Sequence, residues 1–204
     1  MPPSTKPRPR PKTVVPHKIR IIGGRFKRTP IPVIDRDGLR PTPDRVRETL
    51  FNWLSHLWDG EFADKNVLDA FAGSGALGLE SASRGVAGVV MIEHDRRAVA
   101  ALQAVCDKLK LTEVRIFAGD AIGAMPRLLP ARFDVVFLDP PFGGDWLERA
   151  VPKAMQVLTP AGYLYIEADT LVATPPGLEL VRVDRAGAVH FHLFQRVTEP
   201  ELST

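Results

Sequence analysis

Four carboxylates stand at regular places in a chain of alternating strand and helix patterns: Asp69, Glu93, Asp120 and Asp139. Each closes or nearly closes an apolar run: Val67-Leu68-Asp69, Val89-Val90-Met91-Ile92-Glu93, Val114 to Gly119 before Asp120, and Val135-Val136-Phe137-Leu138-Asp139. In a doubly wound sheet, ligands gather at the carboxyl ends of the strands. Acids collected there suit a ligand with hydroxyl, amino or positively charged groups. Between the first two acids lies Gly73-Ser74-Gly75-Ala76-Leu77-Gly78, which matches the G-x-G-x-x-G fingerprint at a strand-to-helix turn. Glycine at 73 and 75 permits positive φ and a close approach of ligand to backbone. The N–H groups of the following helix point at the loop. Glu93 falls 20 residues beyond Gly73, a suitable spacing for an acid that accepts hydrogen bonds from ribose hydroxyls. Asp120 opens a helix and serves equally as its N-cap.

The discriminating stretch is Asp139-Pro140-Pro141-Phe142. Proline fixes φ and removes N–H donors, so this loop is stiff. Asp139 and the carbonyl of Pro140 are placed to accept the two hydrogens of an exocyclic amino group, and Phe142 to stack on its ring. An NAD-dependent dehydrogenase accounts for the glycine loop and Glu93 but leaves Asp139 to Phe142 unused. The five histidines form no ligand set; His190 and His192 share a strand face without partners at metal spacing, so no metal is expected.

The elements that must position these groups follow from periodicity. Strands are predicted at 66–71, 88–93, 114–118, 133–138, 162–167, 178–184 and 189–196, and helices at 76–84, 95–109, 120–129 and 145–157. Continuous apolar strands imply a parallel sheet covered on both faces. The short turn at Arg185 to Ala188 makes the last two strands antiparallel neighbours. The predicted fold is α/β, Rossmann-like: a seven-stranded, mostly parallel sheet with an antiparallel last strand. An N-terminal addition is expected over residues 19–60, followed by the main domain over 61–204. In the addition, Gly23-Gly24 reads as the two-residue turn of a small basic β-hairpin. A helix should start with Thr42 as N-cap and Pro43 in its first turn, burying Val46, Leu50, Trp53, Leu54 and Leu57, with Arg45, Arg47 and Glu48 off that stripe.

Charge is unevenly distributed. Residues 1–28 carry nine Lys or Arg and no acid, while the rest carries 18 basic and 24 acidic residues. A basic arm on an acidic body suggests a polyanion, most simply nucleic acid. Residues 1–18, rich in proline and arginine, read as a disordered tail. The lone Cys106 excludes an intramolecular disulfide and fits a reducing, cytoplasmic setting. No apolar run reaches the length of a membrane span.

Taken together, Arg20-Ile21-Ile22-Gly23-Gly24, the block Arg40-Pro41-Thr42-Pro43-Asp44-Arg45-Val46-Arg47-Glu48-Thr49-Leu50-Phe51-Asn52, the run Asp69 to Glu80 and Asp139-Pro140-Pro141-Phe142 resemble the RsmD family. That family consists of class I S-adenosylmethionine-dependent methyltransferases acting on guanine N2 of small-subunit ribosomal RNA. The likeness spans roughly residues 19–196. The Asp139 motif alone is shared with DNA adenine methyltransferases, which leaves adenine N6 as an alternative target. The resemblance implies S-adenosyl-L-methionine as cofactor and S-adenosyl-L-homocysteine as product. It implies a cofactor site of Thr42, Asp69, Phe71, Gly73, Ser74, Gly75, Glu93, His94, Asp120, Ala121 and Asp139. Asp139, Pro140 and Phe142 are the implied catalytic groups, and Arg20, Arg25, Lys27, Arg28 and Arg45 the expected RNA contacts. The expected partner is ribosomal RNA, within a small-subunit particle or assembly intermediate, and the expected state a monomer.

Overall fold

A computed structural model describes residues 19–33, 43–130 and 132–197. Thr42 and the basic tail of residues 1–18 lie outside the described residues. The main sheet contains β3 (Asn66–Asp69), β4 (Gly88–Glu93), β5 (Val114–Ala118), β6 (Phe133–Leu138), β7 (Leu158–Ala168), β8 (Leu178–Ala186) and β9 (Val189–Arg196). Their order is β5-β4-β3-β6-β7-β9-β8. β3 pairs in parallel with β4 and β6, β4 with β5, and β6 with β7. β9 runs antiparallel between β7 and β8, as the short turn after β8 requires.

One face of the sheet is covered by α1 (Asp44–Leu57), α2 (Ala76–Ser83) and α3 (Arg96–Leu109), and the other by α4 (Ala121–Ala124) and α5 (Trp146–Val157). The central strands are apolar on both faces because both faces are covered. Val67, Val135 and Phe137 join the α1–α3 core; Leu68, Val136 and Leu138 join the other. Successive strand residues alternate between these two cores. The chain leaves β3 toward β4 on one side and enters β6 on the other, so the switch point lies between β3 and β6.

Three elements depart from expectation. The predicted helix over 120–129 is a single α turn followed by a 3-10 turn, Met125–Arg127, where Pro126 has no N–H to continue the ladder. The strand expected at 162–167 begins at Leu158, because Phe133 of β6 pairs with it directly, across a bulge between Phe133 and Val135. The N-terminal strands are only β1 (Ile19–Arg20) and β2 (Pro30–Ile31), paired Ile19 to Ile31 and Arg20 to Pro30. Gly23-Gly24 is therefore not a two-residue turn but part of a longer connection, with a 3-10 turn at Gly24–Phe26.

The reason is α2. Glu80 on that helix accepts the N–H groups of Ile22 (2.7 Å) and Gly23 (2.8 Å), and Ser83 Oγ bridges the Gly23 carbonyl and the Phe26 N–H. A Cβ at Gly24 would lie 1.9 Å from the Ser83 carbonyl oxygen, and Gly24 has φ of 71°. The glycines let the backbone dock on a helix end, not reverse a ladder.

Arg47 also departs from expectation. It does not lie off the buried stripe of α1 but is fully buried. Its guanidinium donates to the Arg20 carbonyl (3.0 Å) and to Asp44 Oδ1 (2.7 Å), and stands 3.9 Å from Glu80 Oε2. Side-chain length explains this: a guanidinium can reach polar partners at the edge of a core that its stem helps to fill. Trp53 stacks on Phe191 with centroids 5.3 Å apart and is a packing residue.

Candidate active site

The site is built where β3, β4, β5 and β6 end. β3 stops at Asp69 because the chain must turn sharply into α2. Gly73 has φ of 53° and Gly75 φ of 77°. Gly75 is the cap of α2, and a Cβ there would meet Leu102 Cδ2 at 2.4 Å, so packing against α3 also excludes a side chain. At Gly73 a Cβ would meet nothing nearer than 4.0 Å, which leaves that stretch of backbone open to a ligand.

Two of the acids hold this loop. Glu93 Oε2 accepts the Gly73 N–H at 2.8 Å, and Oε1 accepts the Asp95 N–H at 2.7 Å, with His94 Nδ1 3.2 Å away. Asp69 Oδ2 accepts the Gly78 N–H at 2.9 Å, inside the first turn of α2. Asp69 is fully enclosed, and burial pushes its carboxyl up to about 7; the Gly78 hydrogen bond opposes this, while the charges of Asp139 and Glu93 reinforce it. Asp120 caps α4 through the Gly123 N–H at 2.7 Å.

A cavity of about 270 Å³ opens over these strand ends. Phe71, Gly73, Glu93, His94, Asp120, Ala121 and Asp139 line it, all of them expected from the sequence. Asp69, Ser74 and Gly75 do not line it: Asp69 and Gly75 are buried behind the loop, and Ser74 is half-buried. Pro140 is buried, whereas Phe142 is 51% exposed beyond the cavity. Ala70, Ile92, Gly119, Pro141 and Trp146 complete the lining and are not expected from the sequence. Trp146 packs edge-on to Phe71, with centroids 6.2 Å apart. The signal that could have found it is an aromatic opening the helix just after the proline loop. One strand further on, Tyr165 donates to the buried Glu167 at 2.8 Å; burial and Glu167 hold the phenol well above its ordinary range.

The donor set discriminates between the two ligands that the glycine fingerprint allows. A dinucleotide places its pyrophosphate against the N–H groups opening the helix. Here the Gly78 N–H is taken by Asp69, the Gly73 N–H by Glu93 and the Gly75 N–H by the Ala72 carbonyl (2.6 Å). On the cavity side of the loop the Gly73 N–H thus meets a carboxylate, Glu93, whose charge opposes a phosphate. Three acids around an apolar floor of Ala70, Phe71, Ile92 and Trp146 instead match a sulfonium nucleoside, with hydroxyl and amino groups at the rim and an overall positive charge. Among the described residues, no group of His, Cys, Asp and Glu could hold a metal ion. His192 is buried, stacks on Phe194 and accepts the Val172 N–H at 3.2 Å. Burial pushes the Cys106 thiol up to about 11, as suits an inert core thiol.

Strand order, the single antiparallel strand and the carboxylates at the switch point define a Rossmann-like methyltransferase fold. The profile of a family described as "conserved hypothetical protein 95" matches residues 19–195. Ribosomal RNA small subunit methyltransferase D of Escherichia coli is 39% identical over 193 residues, covering 90% of this chain and 93% of the relative. The Haemophilus influenzae protein of the same name is 35% identical over 186 residues, covering 87% and 94%. The solved structure of the putative methyltransferase yhhF from Escherichia coli superposes with a TM-score of 0.78 at 38% identity, covering 89% of this chain and 99% of that one. The chain belongs to this family, the RsmD family of methyltransferases.

The expected RNA contacts divide. Arg20 pairs with Asp44 at 3.3 Å and Arg25 with Glu113, whereas Lys27, Arg28 and Arg45 are exposed. Among the described residues no helix is long and apolar enough to cross a membrane.

Proposed function

We propose that this protein methylates the exocyclic N2 amino group of a guanine in small-subunit ribosomal RNA, using S-adenosylmethionine. The observation that carries this reading is the position of Asp139: at the end of β6, on the same cavity as Glu93 and Asp120, and followed by two prolines. The choice of RNA is supported by the Escherichia coli relative, a ribosomal RNA small subunit methyltransferase.

Bound there, the cofactor supplies a methyl group that is already electrophilic. Glu93 orients the ribose hydroxyls, and its carboxylate is itself fixed by the Gly73 and Asp95 N–H groups. Asp120 accepts from the adenine amino group, while Phe71 and Trp146 give the ring an apolar floor. Asp69 keeps the loop and α2 in register. Thr42 is assigned to the methionine carboxylate.

The nucleophile needs the most help, because the guanine 2-amino lone pair is delocalised into the ring. Asp139 and the Pro140 carbonyl accept its two N–H groups, and Phe142 stacks on the base. That favours a pyramidal nitrogen and stabilises the positive charge that develops as its bond to carbon forms. Nitrogen would gain the methyl carbon as the carbon–sulfur bond breaks, with S-adenosylhomocysteine as the leaving group, and would lose one proton, to Asp139 or to water. Fixed alignment supplies much of the remaining acceleration. A base inside a helix must be flipped out or presented in a loop to reach Asp139.

The test pairs product analysis with one substitution. Mass spectrometry of small-subunit RNA treated with the protein and cofactor should show N2-methylguanosine. Asp139→Ala should lower the rate by roughly 100-fold or more while cofactor affinity stays within a few-fold by calorimetry. N6-methyladenosine as product would replace the target base in this reading, and an unimpaired Asp139→Ala would remove the assigned role.

A further inference from the structure

The edge strand β5 presents two unlike faces. Val114 and Ile116 pack toward α3, whereas Arg115 and Phe117 point to the other side, and both are exposed. Phe117 is 43% exposed, unusual for an aromatic ring on a strand face. Neither residue is needed for the core, and neither belongs to the site above.

What lies beside them gives this face meaning. In register, Phe117 pairs with Ile92, which floors the cofactor cavity, and Arg115 pairs with Val90. Val90 lines a second cavity, of about 240 Å³, at the opposite ends of the strands. Arg115, Arg132, Thr112 and Asn66 also line it. Among the described residues the one acid in that lining, Glu113, is ion-paired with Arg25, and Asp134 beside it is held by the Asn66 N–H at 2.7 Å. The described lining thus carries two arginines, Arg115 and Arg132, for which no acid partner lines the cavity, and the Arg25–Glu113 pair anchors the basic N-terminal segment at its rim. Lys27 and Arg28 are exposed on that same segment. From Arg115 to Gly119 the strand covers roughly 13 Å at a strand's rise per residue. One strand thus joins a cationic polar cavity, an exposed ring and the edge of the candidate active site.

We propose that the outer face of β5 binds the single-stranded RNA that flanks the target base, with a backbone phosphate between Arg115 and Arg132 and a base on Phe117. Alternation of arginine with an exposed aromatic is the arrangement that holds single strands through phosphate charge and base stacking. This inference rests on the proposed RNA substrate. It adds which surface guides the strand toward Asp139.

The experiment uses the full chain, S-adenosylmethionine and a small-subunit RNA substrate. Wild type, Phe117→Ala and the double variant Arg115→Glu/Arg132→Glu are compared across a salt series. The double variant should show a salt slope of RNA affinity shallower by about 0.7 for each phosphate that is no longer neutralised. Phe117→Ala should raise the RNA KM roughly ten-fold. In both, kcat at saturating RNA and cofactor affinity should match wild type, which also shows that the variants fold. If wild type methylates RNA and both variants match it in slope and KM, this surface is wrong while the functional reading stands. If wild type neither binds nor methylates RNA, both fall together.

Discussion

Helix α2 meets two buried acids, one near each end, and their surroundings differ. Glu80 sits within the helix, fully buried, and is surrounded by donors: the N–H groups of Ile22 and Gly23, the Arg84 guanidinium at 2.9 Å and Arg47 at 3.9 Å. Asp69 approaches the first turn of the same helix from β3. It accepts one N–H there and faces the charges of Asp139 and Glu93. In the first region a carboxylate ties the N-terminal segment, α1 and α2 together. In the second, carboxylates are crowded against one another around a cavity. Opposite charges thus meet where the fold must be fixed, and like charges meet beside the cavity where a cationic ligand is expected. Stability sacrificed at a cluster of like charges can be recovered when the ligand binds.

The largest expected effect lies at Glu80. Glu80→Ala removes the acceptor for two backbone N–H groups and leaves Arg47 buried beside them, so it should destabilise the protein by about 3–5 kcal/mol. Urea denaturation measures this directly. A loss below about 1 kcal/mol would show that the N-terminal segment docks without this acid.

Asp69 should act in the opposite sense. Its ordinary value is 3.8 and its folded value about 7. Between those values the native state binds more protons than the unfolded chain. Stability from this group is therefore complete below about pH 4 and lost progressively as pH rises through 7. The full difference corresponds to roughly 4 kcal/mol at most. Asp69→Asn keeps an oxygen for the Gly78 N–H and removes the charge. It should flatten the stability profile between about pH 4 and 8 and match or exceed wild type above about pH 7. Denaturant midpoints at several pH values provide the check; an unchanged slope would place the titration elsewhere.

These two acids also differ in how legible they are in the amino-acid sequence. Asp69, Glu93, Asp120 and Asp139 are legible because each ends an apolar strand, and strand ends in a parallel sheet converge by topology. The mostly parallel sheet and its antiparallel last strand follow from the same alternation and one short turn, whereas the strand order does not. Glu80 is not legible as a hub. Within a helical pattern, an acid that faces solvent and one that faces an incoming backbone have the same local sequence. Arg47 is hidden similarly, since periodicity reports where a Cβ points and not how far a guanidinium reaches. Gly23-Gly24 carries a true signal of special backbone, but two adjacent glycines serve a tight turn or a close approach equally well. Only the partner, Ser83 on α2, decides between them. Trp146 and Pro141 escape a sequence reading because cavity lining depends on how the start of α5 is set against Phe71 in the loop after β3.

The smallest expected effect concerns Asp44, whose carboxylate is shared by two arginines in contrasting surroundings. Oδ1 takes the guanidinium of Arg47, which is fully buried; Oδ2 takes Arg20 at 3.3 Å, whose side chain is 65% exposed. The Arg47 contact is also the shorter, 2.7 Å against 3.3 Å. Solvent separates them. Water and salt screen the exposed pair, and holding a long exposed side chain in place costs entropy, so Arg20→Ala should cost about 0.2–1 kcal/mol and less at high salt. Arg47→Ala also empties a core position and leaves Glu80 with one fewer cation, so it should cost several kcal/mol with little dependence on salt. Urea denaturation of both variants at low and high salt tests the contrast. Equal losses would mean that the Asp44 contact itself, and not the burial of Arg47, holds the N-terminal segment on α1.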